Sequence, residues 1–398
     1  MQWIRLHRNY EVLESAVDAA LACGYRHFDT ARAYENEAAL GRALKRWIGA
    51  DVNKRKELFI VTKLPPGGNR PEHVQEYFQA SLRDLGLEYV DLYLIHTPFA
   101  FEHVPGDLHP KNPDGTIKVD LSTDLIALWQ VQTLCNTASL PKSKHCQTIK
   151  KKHYLPKVLC PCCTGGDDDI EEYESIEQKI LYNVDNYPLH LDPSLLSVLH
   201  MQRVLKKKKT AKNYPKLLKA VLKLKETGRV RHVGVSNMNA EQLARLCAVS
   251  KPACLQVEVH LLCQQESLVA AANKLGVPIV AYSPLGSKAL ADVLAAKTGR
   301  EYPDLLTLAA VQKIASAHAR SPAQIILRYA LQRGLGAIPK STHPTRIQQN
   351  ISVWDFQLNE DEMTELSALD REENGRICDF SFFPGIEKHP EFPFKKTV

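Results

Sequence analysis

No apolar run in this 398-residue chain approaches the eighteen or so residues that a bilayer-spanning helix needs. Membrane insertion is therefore not expected. The stretch from Met1 to Tyr10 is polar and basic and has no apolar centre, so no secretory signal is expected either. Gly-x-Gly-x-x-Gly is absent, which argues against a Rossmann domain, and no internal repeat is found. The ten cysteines are scattered singly outside one segment. That pattern suits free thiols in a reducing cytosol better than a disulfide framework, and a cytoplasmic location is expected. Cys160-Pro161-Cys162-Cys163 has His145 and His153 near it, but no second cysteine pair at ligand spacing. No metal is expected.

The net charge of +6 is confined to one stretch. Residues 131–219 hold 15 of the 51 Lys and Arg and 9 of the 45 Asp and Glu, a surplus equal to that of the whole chain. The remainder is balanced. The Lys150–Lys152 and Lys206–Lys209 runs of residues 131–219 have no aromatic interleaving, so nucleic acid is not expected as a partner. A solvated, low-order segment is the reading that fits.

The flanking sequence has a regular grammar. An apolar helix-period run, Val12 to Cys23, ends at Gly24, a helix-stop residue. A short β-prone run then delivers Asp29, with Tyr34 in the loop that follows and a helix predicted from Glu37 to Trp47. Leu58–Thr62 is an apolar strand ending in Lys63. A helix follows at Pro71–Leu85, and Val90–Ile95 is a strand ending in His96. Consecutive strands thus end in Asp29, Lys63 and His96. Four ionisable groups on one rim are hard to explain as packing, and the carboxyl ends of parallel strands are where an α/β barrel carries its chemistry.

On these residues the chain resembles the aldo-keto reductases, whose catalytic Asp, Tyr, Lys and His fall on Asp29, Tyr34, Lys63 and His96. The resemblance covers roughly Glu11–Gln130 and Ala220 to the C-terminus. It is carried further by Gly234-Val235-Ser236-Asn237, Gln256-Val257-Glu258, Ala281-Tyr282-Ser283-Pro284-Leu285-Gly286-Ser287 and Ile338-Pro339-Lys340-Ser341. It implies a (β/α)8 TIM barrel and NADPH-dependent reduction of a small-molecule carbonyl by a monomer, with Tyr34 as proton donor. Lys63, paired with Asp29, is expected to lower the phenol's pKa, and His96 to orient the substrate. By the same resemblance Tyr282 stacks on the nicotinamide, and Ser236, Asn237 and Gln256 bind its carboxamide. Ser283, Leu285 and Ser287 line the pyrophosphate, Lys340, Ser341, Thr342 and Arg346 surround a 2′-phosphate, and Gln349 and Asn350 meet the adenine. The family more often has an acid at the position of Gln349. His96, Thr97 and Phe99 are expected to face substrate; Thr97 stands where many relatives have tryptophan, which makes that wall less aromatic.

Three departures accompany the resemblance. Only Met1 to Tyr10 precedes the first helix, and Gln2–Leu6 is a poor stand-in for a first barrel strand, which is expected to be lost or replaced. Residues 131–219 interrupt a helix that begins near Ser122-Thr123-Asp124, since joining Gln130 to Ala220 restores one amphipathic pattern. The chain therefore divides into a first barrel half (1–130), an insertion between strands four and five (131–219), whose edges also allow an untranslated sequence read in frame, and a second half with a C-terminal lid (220–398). An alternative follows from these departures, a catalytically silent form that at most binds NADP(H). In the second half, strands are predicted at Val230–Val235, Ala253–Val257, Pro278–Ala281 and Gly336–Pro339. Helices are predicted at Ala240–Val249, Glu266–Leu275, Leu306–Ala319 and Pro322–Gln332, with Ser287–Asp304 as a loop. The loop 98–119 is either a specificity loop or plain surface, and the aromatic tail Phe380–Phe394 is expected to cover the barrel mouth.

Overall fold

The computed structural model describes residues 9–51, 53–129, 228–299 and 301–394. Seven strands form one sheet in sequence order, each parallel to the next: β1 (His27–Asp29), β2 (Phe59–Leu64), β3 (Val90–Ile95), β4 (Val230–Ser236), β5 (Leu255–Glu258), β6 (Ile279–Tyr282) and β7 (Gly336–Ile338). The sheet curls into a nearly closed α/β barrel. Among the described residues β1 and β7 each have one strand neighbour. Both are short, and each has an exposed first residue, whereas β3 and β5 are buried throughout. The candidate first strand at Gln2–Leu6, the insertion 131–219 and its cysteine cluster lie outside the described residues.

Helices alternate with the strands: α1 (Tyr10–Ala22), α2 (Glu37–Ile48), α3 (Pro71–Leu85), α4 (Ala240–Cys247), α5 (Glu266–Lys274), α6 (Lys288–Thr298), α7 (Ala309–His318), α8 (Pro322–Gln332), α9 (Pro344–Ile351) and α10 (Glu360–Ser367). Their ends follow local chemistry. Asn9 caps α1 through the Val12 amide, and Gly24 takes φ +94° just past its end. Ser321 and Gln324 form a capping box on α8, with Pro322 at its first position. One expectation is corrected: Ser287–Asp304 is not a loop but contains α6. Its Lys-Ala-Leu-Ala-Asp-Val-Leu-Ala-Ala run is rich in strong helix formers, it buries Ala291 and Leu294, and Gly299 ends it at φ +71°. The helix expected from Leu306 likewise opens with a 3-10 turn, Leu305–Thr307, before α7.

The main core lies between the strands and the helix ring, with Leu44, Ile60, Leu64, Leu85, Ile95 and Leu255 all fully buried. Each such side chain contributes about 1.5–3 kcal/mol by leaving water. A second ionic feature sits at the opening end of β3. Asp91 is buried and accepts from Arg55 Nη2 (2.9 Å), Arg231 Nη1 (2.8 Å) and the Ile60 amide (2.9 Å). The Tyr89 ring is held between the two guanidiniums, at 3.9 and 4.3 Å. These contacts tie β2, β3 and β4 together at the end opposite Lys63 and His96.

The candidate active site

Strand β1 ends at Asp29, β2 reaches Lys63 one residue before its end, and His96 follows β3 directly. The parallel register Asp29↔Val61 and Lys63↔Leu94 brings these ends to one rim. Tyr34 comes from the 3-10 turn Arg32–Tyr34, which the left-handed Glu35 (φ 54°) closes. The four predicted side chains converge. Lys63 Nζ is fully buried, paired to Asp29 Oδ1, and donates to the Thr30 carbonyl at 2.9 Å. It also hydrogen-bonds the Tyr34 hydroxyl and lies 5.0 Å from that ring's centroid. The Tyr34 and His96 rings meet edge-on, 5.5 Å apart at 80°.

Lys63 pulls on the phenol in the expected direction, against a larger opposing influence. Burial raises the Tyr34 hydroxyl above the ordinary phenol value and outweighs the Lys63 ammonium, which pulls it down. The Asp29 carboxylate acts in the same direction as burial, less strongly than Lys63 acts against it. Lys63 itself stays charged: burial opposes the ammonium, but Asp29 and Tyr34 together raise its pKa. Burial drives His96 well below the ordinary imidazole value, so the ring is neutral at neutral pH. Its buried Nδ1 has no hydrogen-bond partner among the described residues.

A polar chain continues along the rim. Gln256 Nε2 donates to the second Asp29 oxygen at 2.8 Å, and Ser236 Oγ donates to the Gln256 carbonyl at 2.7 Å. Asn237 Nδ2 donates to the His96 carbonyl at 2.9 Å, and the Tyr282 hydroxyl donates to Asn237 Oδ1 at 2.8 Å. Asn237 (φ 60°) and Ser283 (φ 49°) both adopt the left-handed backbone just after strands β4 and β6. Asparagine takes that region readily and serine rarely, so the rim there is held by its surroundings. Leu285 and Ser287 are half-buried in the same loop. Beyond β7, Lys340, Thr342 and Arg346 are exposed, Ser341 and Gln349 are half-buried, and Asn350 is buried. Neither Lys340 nor Arg346 forms an ion pair with a described residue. Two cations without an ion-pair partner among the described residues and the Ser341 hydroxyl suit a dianionic phosphate, so the residues present fit a phosphorylated dinucleotide.

The tail closes over this rim. Glu258, at the end of β5, accepts from the Ile377 (3.0 Å) and Cys378 (2.9 Å) amides and from His260 Nε2 (3.1 Å). Burial opposes its charge, yet His260, Arg376 and these amides lower its pKa. Gly375 lies so close to Leu262 that a Cβ would sit 1.6 Å from its carbonyl oxygen. Phe380 packs edge-on against Phe99 (5.0 Å), and Phe383 does so against Phe101 (5.0 Å). The loop 98–119 is therefore the floor under the tail rather than plain surface. Phe99 is fully buried there, between Phe101, Phe380 and Phe392. Thr97 is also buried, its hydroxyl donating to the Phe99 carbonyl at 2.9 Å. Asn69 secures both carbonyls, at 2.8 and 2.7 Å. Sequence reasoning missed Asn69, Glu258 as the tail's anchor, and Cys378, whose thiol burial pushes up to about 12 beside Tyr282. A signal existed only for Glu258, an acid at the end of a short buried strand.

The model described as "Aldo/keto reductase family" matches residues 6–371. "Aldo-keto reductase family 1 member A1" of Gallus gallus is 32% identical over 398 residues, covering 96% of this chain and 90% of that protein. "NAD(P)H-dependent D-xylose reductase I,II" of Candida tropicalis is 32% identical, covering 88% and 82%. Among solved structures, the aldose reductase of Schistosoma japonicum superposes with a TM-score of 0.64 at 29% identity, covering 97% and 92%. A Bombyx mori aldo-keto reductase in complex with NADP does so with a TM-score of 0.64 at 27% identity, covering 97% and 90%.

Proposed function

This chain belongs to the aldo-keto reductase family, and on that premise we propose that it reduces an aldehyde or ketone to the alcohol, with NADPH as cofactor and Tyr34 as proton donor. The observation that carries the reading is the buried Lys63 ammonium held between Asp29 and the Tyr34 hydroxyl, with the His96 ring beside it. When bound, the dinucleotide supplies the hydride, which no side chain can provide.

Carbonyl reduction leaves negative charge on oxygen, and the side chains answer it. A phenol whose pKa burial has raised is fully protonated at neutral pH, which is the form that can give a proton. Lys63 then stabilises the phenolate left behind, and Asp29 keeps Lys63 pointed at it. His96 is neutral, so it donates a hydrogen bond to the substrate oxygen without adding charge that would compete with Lys63. Ser236, Asn237, Gln256 and Tyr282 would hold the nicotinamide end, and Ser283, Leu285 and Ser287 the pyrophosphate. Lys340, Ser341, Thr342 and Arg346 would hold the 2′-phosphate, with Gln349 and Asn350 at the adenine. An ammonium and a guanidinium free of acids favour NADPH over NADH. Thr97 and the tail over Phe99 would bound the substrate.

The test is NADPH fluorescence quenching on the full chain, then NADPH consumption with a generic aromatic aldehyde. Saturable quenching with turnover supports the proposal. Quenching without turnover would mean a silent binder, and neither would end the reading.

A further inference from the structure

Helix α3 and the loop 98–119 bring together three metal-ligating side chains that no catalytic role uses. His73 and Glu76 stand three residues apart, on one face of the helix's first turns. His103 arrives from the loop, thirty residues away in sequence, and stacks on His73 with centroids 3.9 Å apart and planes 19° apart. His103 Nε2 lies 3.5 Å from Glu76 Oε2, and one ligand atom from each residue lies within 4.8 Å of the others. Both imidazoles are half-buried and the carboxylate is exposed, so the cluster opens to solvent on one side.

A second contact points the same way. The buried Tyr77, on the same helix, meets His103 Nδ1 with its hydroxyl at 3.1 Å. With Nδ1–H donating to that oxygen, the lone pair of His103 rests on Nε2 and is aimed at Glu76 and His73. Histidines that ligate metals are oriented in this manner by a partner on the other ring nitrogen. Arg70, whose charge is felt at His73, is engaged by Asp120 (2.8 Å through Nη2), which offsets that charge.

We propose that His73, Glu76 and His103 form a site for a divalent transition-metal ion, with zinc as the best match. Two imidazoles and one carboxylate suit zinc or copper and are a poor set for magnesium or calcium, which prefer oxygen alone. Zinc–ligand distances near 2.0–2.1 Å set tetrahedral ligand atoms about 3.3 Å apart, so His103 and Glu76, at 3.5 Å, need hardly move, and no pair must close by more than about 1.5 Å. His73 supplies the rest by turning its ring out of the stack with His103. A fourth position remains for water. Bound there, the ion ties the loop 98–119 to α3 and so stiffens the floor on which Phe380 and Phe383 rest.

The full-length chain should be titrated with zinc against a chromophoric chelator, and with cobalt followed by its visible spectrum. Wild type should bind one equivalent more than His73→Ala/His103→Ala. Tyr77→Phe should weaken that equivalent by about 10–100-fold, the usual effect of losing an orienting partner. Its cobalt band should lack thiolate-to-metal charge transfer, which separates it from any ion held by cysteines. His103→Gln alone should abolish the same equivalent, and covers the case in which the double variant does not fold. Equal stoichiometry and affinity in wild type and His103→Gln, or a cobalt spectrum of thiolate ligation alone, would overturn the proposal.

Discussion

The same strands carry a buried ion cluster at each end, and the two ends differ in what they leave over. At the opening of β3, Asp91 collects two guanidiniums and a backbone amide, and the Tyr89 ring fills the space between the cations. Both Asp91 oxygens are taken up by these donors. At the closing end, Asp29 collects Lys63 and Gln256, but the shared ammonium goes on to meet a phenol, and an imidazole stands next to it. One carboxylate–cation pair ends in packing. The other ends in two groups able to donate to a ligand. An ion pair in a barrel therefore says little about function until the next neighbour is known.

Substitutions at the two ends should separate these roles. The largest effect is expected from Tyr34→Phe, which should cut kcat by about 10²–10⁴ while NADPH affinity, read by fluorescence quenching, stays near wild type. Ordinary turnover in that variant would remove Tyr34 as proton donor. At the opposite end, Asp91→Ala leaves two cations without their counter-charge and should cost about 3–5 kcal/mol of stability in urea melts, with kcat per folded molecule unchanged. A fall in kcat there instead would erase the distinction between the ends.

Smaller effects refine the picture. Lys340→Met removes one charged contact to the 2′-phosphate, about 1.5–3 kcal/mol. NADPH should therefore weaken roughly 10–150-fold while NADH changes little, as a pair of titrations would report. The smallest expected effect concerns acid. His96 is neutral in the fold because burial lowers its pKa, whereas in the unfolded chain it titrates near 6.5. Above that pH both states are neutral and the residue contributes no slope. Below it the unfolded chain takes up a proton and the native one does not, so stability falls by about 1.4 kcal/mol per pH unit until the native value is reached. His96→Asn should flatten the curve by that amount between about pH 6.5 and the native value; an unchanged slope would contradict a buried neutral ring.

Much of this was legible beforehand because it is written in local pattern. Apolar strands that stop at Asp29, Lys63 and His96 can be read one at a time, and a parallel barrel aligns such ends without further information. The sign of the Tyr34 shift was not legible. It depends on how deeply the phenol is buried and on how far Lys63 offsets that burial, both of which exist only after folding. Helix α6 lies within the stretch expected as loop, although its own composition of alanine, leucine and lysine favours a helix. The tail's attachment was hidden for another reason: its donors are main-chain amides, which leave no trace in residue identity. The same holds for His73, Glu76 and His103, unremarkable singly and adjacent only once the loop folds over α3.

That attachment has a consequence for how the barrel's cover can vary. Glu258 grips the peptide groups of residues 377 and 378 rather than their side chains. Apolar exchanges of similar volume at those two positions keep both amide donors, whereas proline removes one. Exchanging Ile377 or Cys378 should therefore reshape the ceiling above a bound molecule while its hinge stays put. The clasp itself would then survive a change of side chain, because the groups it holds belong to every residue but one.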